Sequence, residues 1–133
     1  MIDFKKYEHF VDAVTSDSSK DFVALADRMG ELDRQGANIE RLLTAAVGIS
    51  AEGGEFTEIV KKIAFQGKEL TEDTKTHLVK ELGDVFWYIA QACNALDLDF
   101  KTIVVTNMIK LAARYPGGEF DVFQSENRAE GDI

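Results

Sequence analysis

Apolar positions recur along this chain at helical rather than strand intervals. Between Asp73 and Leu96, the residues Leu78, Leu82, Val85, Phe86, Ile89 and Cys93 fall within one stripe less than about 110° wide, the pattern of a helix that turns one face to a core. Thr71, Asp73 or Thr74 can cap its start, Glu72 and Asp73 suit its first turn, and it should end near Asp97. Upstream, Asn38 can cap a second long helix running to about Phe65, with Leu42, Ala45, Ala46, Ile49, Phe56, Ile59, Val60 and Ile63 on its apolar side. Gly48, Gly53 and Gly54 each disfavour that helix by about 1 kcal/mol relative to alanine. Either another backbone or a ligand approaches closely there, or a loop at 53–54 splits the segment in two. A third segment, Asp99 to Tyr115, carries Ile103, Val104, Met108, Ile109, Leu111 and Ala112 and stops before Pro116-Gly117-Gly118. Two shorter helices are expected before these, at about 3–15 and 18–34, the latter capped by Ser18 or Ser19.

The sequence has a single proline, so almost nothing in it forbids helix. No repeat, linker or low-complexity tract interrupts it. The expected fold is all-α, a four- to five-helix bundle in one domain over 1–133, with a helical core at about 18–116 and a C-terminal arm at about 117–133 that packs irregularly or as a short helix. A chain of 133 residues buries only about 65–70% of its extended surface alone, which favours association with copies of itself.

Charge narrows the function. The net charge is −9, from 24 acidic and 15 basic residues, which argues against a binder of nucleic-acid phosphates and fits a protein that collects cations. Cys93 is the only cysteine, so no internal disulfide forms. No apolar run approaches a membrane span and the N-terminus lacks an apolar signal core, so a cytoplasmic protein without membrane contact is expected.

Two pairs of acids stand three residues apart on the two long helices: Glu52 with Glu55, and Glu81 with Asp84. That spacing puts both members of a pair on one face, a turn apart. Angular position places Glu52 and Glu55 on the inward face, whereas Glu81, Asp84 and Tyr88 flank the apolar stripe. A carboxylate on a buried face is unfavourable unless paired or bound to a metal. A hard divalent cation relieves the repulsion among four carboxylates, and oxygen-only ligands favour Mg²⁺ or Mn²⁺. Neither His9 nor His77 follows an acid by three positions, so the Glu-x-x-His pattern of di-iron bundles is missing. The same acid spacing also occurs on solvated helix faces. A non-catalytic, oligomeric helical interaction module with a solvated acidic face therefore stands as the alternative.

The segment Gly48-Ile-Ser-Ala-Glu52-Gly-Gly-Glu55-Phe56, followed by Lys80-Glu81-Leu-Gly-Asp84-Val-Phe-Trp-Tyr88, resembles the paired acidic helices of the MazG-like, all-α nucleoside-triphosphate pyrophosphohydrolases. The likeness extends into Asn107-Met-Ile-Lys110-Leu-Ala-Ala-Arg114-Tyr-Pro and covers about residues 38–116, in the manner of the short phage and bacterial members. Ala51 stands where some members carry a further glutamate, so no fifth carboxylate is expected there. The resemblance implies attack of water on the α-phosphorus of a nucleoside triphosphate, giving monophosphate and diphosphate. Deoxynucleoside triphosphates such as dGTP or dCTP are the expected substrates. It implies Glu52, Glu55, Glu81 and Asp84 as catalytic ligands of one to three Mg²⁺ ions, with Glu55 a candidate acceptor for the water's proton. It also implies a nucleotide contact at Tyr88, a site walled by two subunits, and a homodimer or homotetramer, in a host cytoplasm if phage-encoded. Lys110 and Arg114, one turn apart, suit phosphate oxygens; Asn107 can join them. Lys61, Lys62 and Lys68 form a basic patch near Gln66-Gly67 that can meet the departing diphosphate. Trp87 lies off the acid face and is expected in packing or a subunit contact. His9, His77 and Cys93 are expected to have no functional role.

Overall fold

The computed structural model describes residues 2–128. Helix α1 spans Phe4–Val14, a 3₁₀ turn follows at Asp17–Ser19, and α2 spans Phe22–Arg34. The long helices α3 (Ile39–Phe65) and α4 (Glu72–Ala95) come next, then α5 (Phe100–Arg114) and the short α6 (Val122–Glu126). All regular structure among the described residues is helical, as the apolar spacing predicts. In the described part of the expected C-terminal arm the chain forms the short helix α6, and residues 129–133 lie outside the described residues.

Side chains at the helix starts explain the boundaries. The Asp3 carboxylate accepts from the N–H groups of Lys5 and Lys6, Asn38 accepts from Arg41 N–H, and Asp121 accepts from Gln124 N–H. Each satisfies amides that have no partner within the helix. One expected cap is corrected. Neither Ser18 nor Ser19 caps α2; both belong to the 3₁₀ turn, and the Asp21 carboxylate accepts from Ala24 N–H at 2.8 Å. At the start of α4, the Thr71 hydroxyl accepts from Thr74 N–H, and the buried Thr74 hydroxyl donates to the Glu69 carbonyl at 3.0 Å. Helix α4 ends at Ala95, and just beyond it Asp97 adopts a left-handed conformation (φ 52°) while Leu98 N–H reaches back to the Cys93 carbonyl at 2.9 Å. Aspartate tolerates that backbone better than most residues.

The α3–α4 hairpin is the most extensive packing between elements. It runs antiparallel: Gly48 meets the Tyr88 ring, while Glu52, one turn further along α3, meets acids that precede Tyr88 on α4. Helix α3 is continuous through 53–54, so no loop splits it. Of its three glycines, Gly48 alone is closely approached, and the space beside Gly53 and Gly54 is open. Ala45, Gly48, Ile59, Thr74 and Cys93 are buried along the hairpin. Helix α2 packs on the 3₁₀ turn and touches α3, whereas α1, α5 and α6 rest on the hairpin at isolated points at most.

The apolar stripe of α4 is only partly covered. Leu78, Val85 and Ile89 are half-buried and Cys93 is buried, but Val79, Leu82 and Phe86 are exposed. Contact with α3 is therefore rotated from the centre of the stripe toward its acidic edge, and an apolar row is left on the far side. The first turn of α5 reaches that row, with the rings of Phe86 and Phe100 6.0 Å apart.

Candidate functional site

Rotation of α4 toward its acidic edge brings the two acid pairs together. Glu52 lies at the centre of the α3 contact face, between Gly48 and Ile59, and Glu81 opposes it from α4. Carboxylate oxygens of Glu52, Glu55 and Glu81 lie within 4.8 Å of one another. Asp84 is near enough for its charge to act on Glu52. The carboxyl of Glu52 is held above its usual range, first by burial and then by the negative charges of Glu55, Asp84 and Glu81. The angular reading of the sequence, with Glu52 and Glu55 inward and Glu81 and Asp84 flanking, is corrected. One acid of each pair, Glu52 and Glu81, is half-buried, and its companion, Glu55 or Asp84, is exposed. Each helix contributes one inner and one outer acid instead of one helix carrying both inward.

Three carboxylates at this separation, with Asp84 near and no cation among the residues that shift Glu52, form an oxygen-only donor set. Such a set suits a hard divalent cation. The turn of α3 that carries them is bare, because Gly53 and Gly54 have no neighbours where a side chain would stand.

The other predicted residues are placed at varying distances from this cluster. Tyr88 follows Asp84 by one turn; it is half-buried, stacks its ring on Gly48 and meets the Trp87 ring edge-on at 4.8 Å. Trp87 itself is exposed. Lys62 lies two helical turns beyond Glu55 on the same side of α3, about 10 Å along the axis. It pairs with Glu58 at 3.3 Å, and Lys61 pairs with the same carboxylate, so that part of the basic patch is balanced by an acid. Those lysines hold Glu58 below the usual carboxylate range, Lys61 first. Lys68 is exposed in the turn between α3 and α4. Asn107, Lys110 and Arg114 all lie on α5. Asn107 and Lys110 line a groove of about 290 Å³ with Leu98, Thr102, Ile103 and Thr106, and that groove contains none of the four acids. Within one chain, the structure thus brings Tyr88 to the carboxylates but not α5. His9 and His77 are exposed, and Cys93 is buried on the core side of α4.

Residues 41–118 match the MazG nucleotide pyrophosphohydrolase domain, and that stretch contains all but the first two residues of the α3–α4 hairpin, its four acids and all of α5. The chain belongs to the MazG family. MazG domains support hydrolysis of nucleoside triphosphates to monophosphate and diphosphate and are typically dependent on a divalent metal, in keeping with the carboxylate cluster. The Gene 37 protein of Mycobacterium phage L5 is 39% identical over 83 residues, which is 61% of this chain and 72% of that relative. No solved structure matches the chain. Helices α1 and α2 precede the MazG match. Among the described residues, no helix is long and apolar enough to cross a membrane.

Proposed function

We propose that this MazG protein is a Mg²⁺-dependent pyrophosphohydrolase that converts a nucleoside triphosphate and water to the monophosphate and diphosphate, with deoxynucleotides such as dGTP or dCTP as substrates. The observation that carries the reading is the convergence of Glu52, Glu55 and Glu81, with Asp84 beside them, on the hairpin of a MazG domain. Oxygen-only ligands favour Mg²⁺, with Mn²⁺ as substitute, in one to three ions. A divalent ion held there would neutralise triphosphate charge and acidify the attacking water. Glu52 and Glu81 form the inner part of the cradle, and Glu55 and Asp84 form its mouth. Glu55, an exposed member of the cluster, accepts the proton from the water that attacks the α-phosphorus. The Tyr88 side chain borders the nucleotide. Lys62 and Lys68 supply positive charge to the departing diphosphate.

The working form is a homodimer or homotetramer in the cytoplasm, that of the host where the gene is phage-borne. The chain exposes 10679 Å², whereas a compact monomer of 14.8 kDa exposes about 7,000 Å². The excess is several times the roughly 800 Å² that one partner contributes to a standard interface. It includes the far row of α4 and most of the apolar face of α5. Association covers these faces and gives the α5 of one copy a place along the hairpin of another. We assign Asn107, Lys110 and Arg114 to phosphate binding in that assembly.

A panel of nucleotides incubated with Mg²⁺, with diphosphate and orthophosphate resolved, tests the reading. Diphosphate is the expected direct product, and Glu55→Gln or Asp84→Asn should abolish turnover while helical circular dichroism is retained. Orthophosphate as the sole direct product, or full activity in both variants, would contradict it.

A further inference from the structure

We infer that Gly48 is a positioning residue: its missing side chain forms the notch that seats the Tyr88 ring and sets the α3–α4 separation at which the acids of both helices converge. This rests on the carboxylate-site reading above and concerns what holds that site to its dimensions. Gly48 is buried in the middle of α3, one turn before Glu52. A Cβ built on it would overlap Cγ, Cδ1 and Cε1 of Tyr88. Tyr88 in turn lies one turn after Asp84 and two turns after Glu81. The notch and ring are thus adjacent, on both helices, to the residues whose carboxylates meet. No comparable contact exists at Gly53 or Gly54, so the close approach is specific to this turn.

The overlap cannot be relieved by a small movement of the ring tip. Cγ is the ring's point of attachment, so clearing it requires a different χ1, and few χ1 values are open to an aromatic side chain within a helix. The Trp87 ring also stands edge-on against the Tyr88 ring. The remaining response is separation of the helices by more than about 1 Å, enough to restore the roughly 3.5–4.0 Å spacing of carbon atoms in contact. An oxygen cradle opened by that amount no longer matches the ligand distances of about 2.0–2.1 Å around Mg²⁺. A glycine therefore stays in the helix interior despite its unfavourable helix propensity.

The test uses the full chain and Mn²⁺ as probe, read by electron paramagnetic resonance, in the wild type, Gly48→Ala and Gly48→Ala/Tyr88→Ala. The wild-type titration tests the carboxylate site itself. The comparison among the three proteins tests the spacer. Gly48→Ala is expected to weaken Mn²⁺ binding by at least about tenfold, the scale of loss that an error near 1 Å brings to a preorganised site, with helical circular dichroism retained. Removing the opposing ring in the double variant is expected to recover most of that loss, which a general destabilisation of the fold would not do. Emission from Trp87, the chain's single tryptophan, gives a reading without metal and is expected to shift in Gly48→Ala as Tyr88 is displaced. Wild-type Mn²⁺ affinity in Gly48→Ala, an unshifted Trp87 spectrum, or a double variant that binds no better than the single one would each overturn the assignment. Should Gly48→Ala fail to fold, the double variant decides alone: it must fold and bind Mn²⁺.

Discussion

The apolar row on the far side of α4 leads to a quantitative prediction for Phe86→Ala. Phe86 is 59% exposed in the single chain. A phenylalanine offers about 150–250 Å² to burial, so about 90–150 Å² of it is left for the proposed association to cover. At about 25 cal/mol per Å² that area is worth about 2–4 kcal/mol per ring. Each 1.4 kcal/mol is tenfold in affinity, so losing one ring weakens association by at least about 30-fold. In a twofold interface the substitution acts from both sides, and the loss approaches about 1,000-fold. Sedimentation velocity over a concentration series measures this as a shift of the dissociation midpoint, with circular dichroism confirming that the hairpin remains helical. An unchanged midpoint would refute the placement of this row in the interface, and a monomeric wild type would refute the use made of the excess surface.

Two further outcomes follow from charged groups. Because Glu52 is raised in the folded protein, its unfavourable contribution is missing below the ordinary carboxylate range and develops as pH rises from there through its raised value. Glu52→Gln should therefore gain stability over wild type between pH 4 and pH 7 in urea melts with chelator present; a difference that stays level or reverses would show that the acids do not strain one another. Asp99 is lowered, by the Thr102 hydroxyl and then the Thr102 N–H, so its contribution is present at neutral pH and is lost as pH falls through its folded value. Asp99→Ala should weaken the start of α5, seen as faster amide exchange over residues 100–104, while Asp99→Asn keeps most of the protection.

How much of this was legible in the sequence depended on the range of the forces involved. The long helices could be read because their signals are local: Asn38 and Thr71 cap where a side-chain oxygen precedes an apolar period, and Pro116 follows the end of α5. The α2 cap was misplaced because Ser18 and Ser19 have the right chemistry, and only the 3₁₀ turn that consumes them hands the role to Asp21. The four acids were legible as two pairs on two helices, but not their division into inner and outer members. That division depends on how far α4 is rotated against α3, which is a property of the packed pair. Periodicity centred the α4 stripe near Leu82, yet α3 covers only one edge of it, since the rest of the stripe is left for other surfaces. The glycines of α3 pointed to close approach by another backbone or a ligand, but the neighbour at Gly48 is a side-chain ring, and nothing in one dimension names Tyr88. The place of α5 was the least legible, because Asn107, Lys110 and Arg114 are joined to the acids by no sequence-local contact.

Mn²⁺ binding by the wild type and by Glu52→Gln/Glu81→Gln, followed by electron paramagnetic resonance at neutral pH, is the most direct test of the claim that carboxylates from α3 and α4 form one divalent-cation site. The two substituted residues are the half-buried members that face one another across the hairpin. The account predicts that the wild type binds Mn²⁺ and that the double variant binds it at least about tenfold more weakly, since affinity at oxygen sites follows the number of charged ligands, while its helical spectrum is unchanged. Equal Mn²⁺ affinity in the two proteins, or no binding by the wild type, would contradict it.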